Sequence, residues 1–308
     1  MPTNEYENCC LCPHHCGVNR TLDKKGVCGE TSRLRISCAV IHKGEEPPIT
    51  GNGGSGTVFI SGCTLHCAFC QNYQISQNSM GRIVTEEEFI KIMLELQNKG
   101  ANNINIVTGT HHIPAIISAA KKAKSCGLSI PLVWNSSGYE TKESLCLLND
   151  IIDIYLPDIK TLDASAAKKF YNAPLYPKYA AAAVKQMILH RPNNTIIRHL
   201  IIPGYLELTK EVLKWFSQNA SGKAKLSLMT QYTPVYAAAK GTAIPDRFIN
   251  QHEYETALSW LDTFDIDDGF YQELETATDW LPDFNKSNPF SSRLSTPVWH
   301  WKYGFVEE

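Results

Sequence analysis

The sequence has no uninterrupted apolar run approaching the ~20 residues that span a bilayer. Its opening residues, MPTNEYENCC, lack the basic and apolar stretches of a signal peptide. The net charge of −2 gives no electrostatic footprint for nucleic acid or for an anionic membrane. No short-period repeat or low-complexity tract interrupts the chain, and no G-x-G-x-x-G follows its first strand-like run. Together these absences set the expectation of a cytoplasmic protein that engages neither nucleic acid nor membrane. A hydrophobic fraction of 43% and a charged fraction of 19% fit a folded protein with a sizeable core. Its 308 residues suit one large domain with appendages, or two domains.

What the chain has in excess is cysteine, eleven in all. In a reducing compartment dense cysteines read as metal ligands rather than disulfides, and the odd count agrees. Cys63, Cys67 and Cys70 stand at C-x3-C-x2-C spacing just after the apolar β-type run Thr57–Ile60. Three thiolates packed this closely suit three irons of a [4Fe–4S] cubane and leave the fourth iron open, because a cluster normally takes four cysteines. Structural zinc is the competing reading. It wants four closed ligands, and His66 would have to supply the fourth from inside the loop. The strand end, Phe69 directly before Cys70, and the polar exit Gln71-Asn72 favour the cluster.

A second group precedes the first. Cys9, Cys12, Cys16 and Cys28 are spaced C-x2-C-x3-C-x11-C, with Pro13, Gly17, Gly26 and Gly29 supplying tight turns. Four candidate thiolates make a closed site for zinc or for an auxiliary iron–sulfur cluster, and thiolate ligands do not choose between them. Cys10 is an alternative to Cys9. Cys38, Cys126 and Cys146 are isolated among apolar residues and read as buried free cysteines.

The remainder alternates strands and helices. Leu34–His42 reads as a strand, followed by the Pro/Gly-rich seam GEEPPITGNGGSG. After Thr57–Ile60 come strands at Asn103–Val107, Ile130–Trp134, Ile151–Leu156, Thr195–Ile202, Lys225–Thr230 and Gly269–Leu274. Helices are expected after Thr85 (with a capping box to Glu88), after Pro114, at Thr141–Asn149, over 163–171 and 178–190, from Thr209, and at 251–263. This α/β pattern with short connections argues for parallel strands and crossover helices, curled into a full or partial (β/α) barrel. A doubly wound open sheet is the structural alternative. Nearly every strand ends in polar or glycine residues, among them TGTHH, NSSGY, PDIK and MTQYTP, which places a site at the C-terminal mouth. Arg198 and His199 cannot both face inward, because side chains alternate along a strand. The expected organisation is a cysteine-rich arm over 1–52, the barrel over 53–280 and a docked aromatic tail over 281–308. In that tail Trp299, Trp301 and Tyr303 recur with period two and are expected to pack in extended form.

On these motifs the chain resembles radical S-adenosylmethionine (SAM) proteins, over roughly residues 9–284. Within them it is similar to the branch related to pyruvate formate-lyase activating enzymes that carries an N-terminal C-x2-C-P-x2-C-G-V-N-R segment, here Cys9–Arg20. The resemblance implies that Cys63, Cys67 and Cys70 hold a [4Fe–4S] cluster whose open iron chelates SAM. It implies Phe69 near the adenine, and Thr108 and Gly109 of TGTHH receiving the SAM amino group. Asn135 and Ser137 fall where ribose and carboxylate contacts are expected, Asp158 and Lys160 match a D-x-K at a strand end, and Arg198 precedes the Ile202-Pro203-Gly204 segment that shapes the pocket. TGTHH departs from the usual two glycines and acid, and Gln231-Tyr232 stands where activating enzymes carry a histidine. The implied reaction is reductive cleavage of SAM to a 5′-deoxyadenosyl radical, fed by a low-potential donor such as flavodoxin or ferredoxin. The radical then abstracts hydrogen, from a glycyl radical enzyme as partner or, alternatively, from a small metabolite or peptide. A non-catalytic metal-binding structural protein is the reading from a different class.

Overall fold

The protein is described from a computed structural model covering residues 4–274, 278 and 280–306. The outermost residues of the expected arm and tail, and residues 275–277 and 279 of the barrel span, lie outside the described residues. The strands are β1 Arg35–His42, β2 Ser55–Ile60, β3 Arg82–Ile83, β4 Ile104–Val107, β5 Leu132–Ser136, β6 Ile154–Pro157, β7 Ile196–Leu200, β8 Lys225–Met229, β9 Gly269–Tyr271, β10 Ser295–His300 and β11 Gly304–Phe305. β2, β4, β5 and β6 pair in parallel, and β7, β8 and β9 do the same. Parallel bridges at Tyr155–Thr195 and Asp158–Arg198 join the two runs. The result is a partial (β/α) barrel. Against its first strand lie antiparallel β1, then β10 and β11 from the C-terminal segment.

Period-two alternation sorts each strand into two chemistries. Ile104 and Ile106, Leu132 and Trp134, and Val58 and Ile60 face the helices Glu86–Asn98 and Ile113–Ser125 in one large apolar core. Ile197, Leu226 and Leu228 face Leu206–Asn219 and Gln251–Thr263 in another. The intervening residues face the interior. At its base Ile49, Val133, Leu156 and Ile196 form a small apolar layer. Ile49 belongs to a short helical turn, Pro47–Thr50, anchored by Asn103 to Ile49 O (2.6 Å) and Asn102 to Thr50 O (2.7 Å). The stretch read as a seam is therefore folded into the barrel.

Helix boundaries follow local chemistry. Phe89, Ile92, Met93 and Leu96 are buried on one face of Glu86–Asn98, and Thr85 accepts from Glu88 N. The reciprocal half of the expected capping box is absent, because Glu88 Oε1 instead takes Arg82 and Trp299 Nε1 (3.0 Å). A complete capping box occurs at Asn250 and Glu253. The strand expected at Ile130–Trp134 lies two residues later, and the helix expected from Thr209 begins at Leu206.

Three further expectations need correction. Cys126 and Cys146 are exposed: Cys126 is the C-cap of its helix, and Cys146 lies on the outward face of Lys142–Leu147. Cys38 is fully buried. In the tail, Trp299 is buried in β10, but the alternation stops at His300, where residues 301–303 turn and leave Tyr303 exposed.

Trp299 is fully buried, holds Glu88 and lies under the Arg82 guanidinium (4.9 Å). Trp299→Ala is expected to cost about 3–5 kcal/mol in chemical denaturation. Glu253 accepts from Gly204 N (2.7 Å) and from both terminal nitrogens of Arg247 (2.6 and 2.7 Å). The Arg247 hydrogen bonds hold its carboxyl at about 2, against the opposing effect of burial. An unfolded Glu titrates near ~4.3, so this stabilisation is complete above that pH and is lost as pH falls towards the folded value. Wild type and Glu253→Gln should differ most in denaturation midpoint at neutral pH, and the gap should narrow below ~pH 4.

Candidate active site

The cysteine triplet sits where β2 leaves the sheet. Gly62 has φ +79°, and a Cβ there would lie 2.8 Å from Cys28 O and 2.5 Å from Glu30 Cγ, so only glycine lets the loop pass beneath the arm. The loop is laid against the C-terminal end of the helix Ala164–Tyr171 by Ala68 N to Phe170 O (2.7 Å) and His66 N to Tyr171 O (3.4 Å). Cys63 is buried, and Cys67 and Cys70 are partly exposed. Leu65 N donates to Cys63 Sγ (3.3 Å), Asn72 N points at the Cys70 sulfur, and Ser76 Oγ lies 3.3 Å from it. Burial pushes all three thiols up, Cys63 to about 12, and the Lys160 ammonium opposes it at each. Phe69 stands in an aromatic box with Tyr232, Phe170 and Tyr171, at centroid distances of 5.1, 5.7 and 5.9 Å.

Across the interior from the triplet lies a charged network. Asp158 Oδ2 accepts from Lys160 Nζ (2.6 Å), and Oδ1 from Arg198 Nε (3.0 Å). Arg198 also donates to Asn135 Oδ1 and reaches Glu45 Oε2 (3.5 Å), whose other oxygen accepts from Asn105 Nδ2 (2.9 Å). Burial works to raise the Asp158 carboxyl, but Lys160 and Arg198 more than offset it, so it stays below its usual range. Glu45 and Glu46 are raised by burial, with Arg198 opposing. Arg198 faces inward, while His199 turns outward to Ile159 O (2.7 Å) and Thr209 (3.0 Å).

A cavity of about 400 Å³ lies between triplet and network. Of the residues expected at the site, Cys67, Phe69, Cys70, Asn135, Asp158, Lys160 and Arg198 line it. Cys63 is held just behind, and Thr108, Gly109 and Ser137 are not in its wall. Thr108 adopts φ +60°, a strained conformation for a β-branched residue. Gly109 packs on Trp134, and Ser137 gives its carbonyl to Tyr176 OH (2.8 Å). Tyr232 is buried and bonded to Pro245 O (2.8 Å), so it serves the aromatic box, whereas Gln231 lines the cavity. Sequence reasoning missed Glu45 and the cavity residues Trp280, Phe290 and Arg293, whereas Gln272 belongs to the expected strand Gly269–Leu274. Glu45 lay in an apparent linker, and the other three lie beyond the last expected strand, where periodicity carries no signal.

His111 and His112 turn away from the cavity towards the arm. His111 Nε2 contacts Ser61 O (2.7 Å), its carbonyl accepts from Arg20 (2.6 Å), and both rings are buried. Cys9, Cys12 and Cys28 are buried, Cys10 is exposed, and Cys12 lies within electrostatic reach of Cys28, Cys16 and Cys9. Among the described residues, no three or more His, Cys, Asp or Glu side chains are disposed as a group that could hold one metal ion. The triplet has the donor chemistry of a cluster site: three thiols on one loop, backbone N–H groups aimed at two of the sulfurs, and a cation facing all three.

Asp158 is the shared counter-charge of two largely buried cations, with 22% and 16% of their side chains exposed. Asp158→Asn should therefore cost about 3–5 kcal/mol in denaturant, well beyond a surface pair. Lys160→Met, which removes one cation and leaves the Arg198 pair, should cost less.

Residues 57–216, just over half of the chain, match the Radical SAM superfamily. An uncharacterized protein of Methanocaldococcus jannaschii, MJ0674, is 30% identical over 272 residues, which cover 86% of this chain and 77% of that protein. Among solved structures, a radical SAM methyltransferase from Sphaerobacter thermophilus superposes with a TM-score of 0.52 at 13% identity, covering 71% of this chain and 66% of that one. SuiB of Streptococcus suis bound to S-adenosylmethionine gives a TM-score of 0.48 at 12% identity, covering 69% of this chain and 45% of that one. At 13% identity the likeness to the methyltransferase speaks to fold alone. The family match and the relative, taken with the cysteine loop at the end of β2, show that the chain belongs to the radical SAM superfamily.

Proposed function

We propose that this radical SAM protein is an activating-type enzyme whose hydrogen donor is a backbone glycine of a partner glycyl radical enzyme. The observation that carries this reading is the size of the cavity. At about 400 Å³ it holds roughly one drug-sized ligand, the room S-adenosylmethionine itself needs. The reacting C–H must then be presented from the mouth, as a protein loop can do. When bound, a [4Fe–4S] cluster on Cys63, Cys67 and Cys70 together with S-adenosylmethionine supplies one-electron cleavage of the sulfonium to a 5′-deoxyadenosyl radical.

The protein's own share is positional. Lys160 sets a positive charge beside the three thiols, and Asp158, Arg198 and Asn135 offer fixed polar groups across the cavity. Phe69, Phe170, Tyr171 and Tyr232 pack an apolar wall beside the thiol loop, which limits water near a reactive carbon centre. A low-potential flavodoxin or ferredoxin in the cytoplasm is the electron donor in this reading, and the arm's Cys9, Cys12, Cys16 and Cys28 hold a second metal.

A second reading, a small metabolite or peptide as substrate, draws support from the wall formed by Trp280, Phe290 and Arg293. One experiment separates the readings. Anaerobically reconstituted protein, reduced and given S-adenosylmethionine, is expected to release methionine and 5′-deoxyadenosine, and Cys67→Ala to release neither. With a candidate partner added, electron paramagnetic resonance should show a glycyl doublet. Cofactor cleavage without any doublet across partners would turn the assignment to the metabolite reading. Absence of both iron uptake and cleavage would leave only a structural metal protein.

A further inference from the structure

Arg20 is wholly buried and has no carboxylate partner among the described residues. Its guanidinium is fixed by three backbone carbonyls: Glu30 O at 3.2 Å, Thr31 O at 2.6 Å and His111 O at 2.6 Å. It lies 4.9 Å from the Tyr6 ring centroid and points Nη1 at Cys9 Sγ, 3.7 Å away. Neutral carbonyls satisfy its donors but not its charge; the Glu30 carboxylate is in electrostatic reach but is paired with Arg35 (3.1 Å), so the charge of this buried cation is only partly offset.

The four arm sulfurs share a second feature. Each has an N–H aimed at it: Cys9 from Arg20, Cys12 from His14 N, Cys16 from Val27 N (3.4 Å) and Cys28 from Glu30 N. At Cys12 and Cys28 the donor lies two residues on, the arrangement that Leu65 and Asn72 provide for Cys63 and Cys70. A thiol sulfur is a weak acceptor, whereas a thiolate rewards such donors. Gly26 adds a packing constraint, since a Cβ there would lie 2.9 Å from Cys16 Sγ.

We propose that Cys9, Cys12, Cys16 and Cys28 form a tetrathiolate metal centre, zinc or iron–sulfur, whose buried counter-charge is Arg20. This rests on the reading of the arm as metal-binding and adds the residue that makes it work. On metal binding each of the four cysteines would give its proton to solvent, and together they would supply a tetrathiolate ligand set. The metal with four thiolates is net anionic, so loading and the Arg20 charge stabilise one another. The centre also braces the triplet loop. His14 Nε2 contacts Thr64 O (2.7 Å), His66 Nε2 contacts Val27 O (3.0 Å), and Cys28 O lies under Gly62.

The test uses the full chain with Cys63, Cys67 and Cys70 all changed to Ala, so that metal in the arm is counted alone. Anaerobic preparations should retain about one zinc, or about four irons with matching sulfide, per chain; elemental and sulfide analysis tells these apart. In that background Arg20→Met should weaken metal retention against a chelator by about 10–100-fold, with Arg20→Lys in between. A monodisperse triple variant that takes up neither metal overturns the centre. Equal retention in the parent, Arg20→Met and Arg20→Lys overturns the role of Arg20. Should Arg20→Met fail to fold, the comparison of Arg20→Lys with the parent decides, equal retention again counting against it. Because the triplet is absent, neither result depends on cleavage of S-adenosylmethionine by the wild type.

Discussion

The constraint on which the interior depends is that Asp158 must serve two cations at once. One carboxylate oxygen faces Arg198 and the other Lys160. That division is possible because Asp158, just past the end of β6, is bridged in register to Arg198 in the middle of β7, and Lys160 follows two residues later. Two backbone-fixed positions thus set the distance between the charges, and no long side chain has to search for its partner. Buried pairs of this kind are strong only when each oxygen and each donor is used, and here Asn135, Glu45 and Asn105 take up what remains.

Much of this arrangement was legible before any coordinates. The C-x3-C-x2-C spacing after a β-type run identifies the loop because cubane chemistry needs thiols in that number and order. Alternation likewise forces a choice between Arg198 and His199, and of the polar floor Asn135 and Asp158 come from strand ends and Arg198 from the middle of β7. Strand boundaries proved less legible. β5 begins two residues late because Ile130 sits in a bend and Pro131, with no N–H, gives the ladder only its carbonyl, to Ile104 N (2.8 Å), and apolar residues outside a strand read like those within one. Glu88 shows the same limit for caps. Its position fits a capping box, yet Arg82 and Trp299 claim its carboxylate, and Trp299 is more than two hundred residues away.

Illegible features share one property: they depend on where the two termini return. Glu45 sits in what reads as a polar, proline-rich linker, yet Pro47–Thr50 turns into the base of the barrel and carries Glu45 under Arg198. Phe290 and Trp280 reach the cavity because β10 pairs with β1 and draws the preceding chain across the opening. Arg20 is a further case. In the sequence it only closes the Cys9–Arg20 segment, and the fold alone shows it wholly enclosed.

The distribution of charge then has a directional consequence. Arg198 is engaged by Asp158, Asn135 and Glu45, with Glu46 in electrostatic reach, so its charge is spent towards the base and centre of the barrel. Lys160 has one carboxylate partner, and it is the cation felt by all three thiols of the triplet. The two cations are therefore not interchangeable: one neutralises the interior's carboxylates, and the other leaves positive potential facing the thiol loop. A protein that must gather anionic sulfur at a strand end needs that separation, because a single shared cation would be quenched by the carboxylates nearest to it.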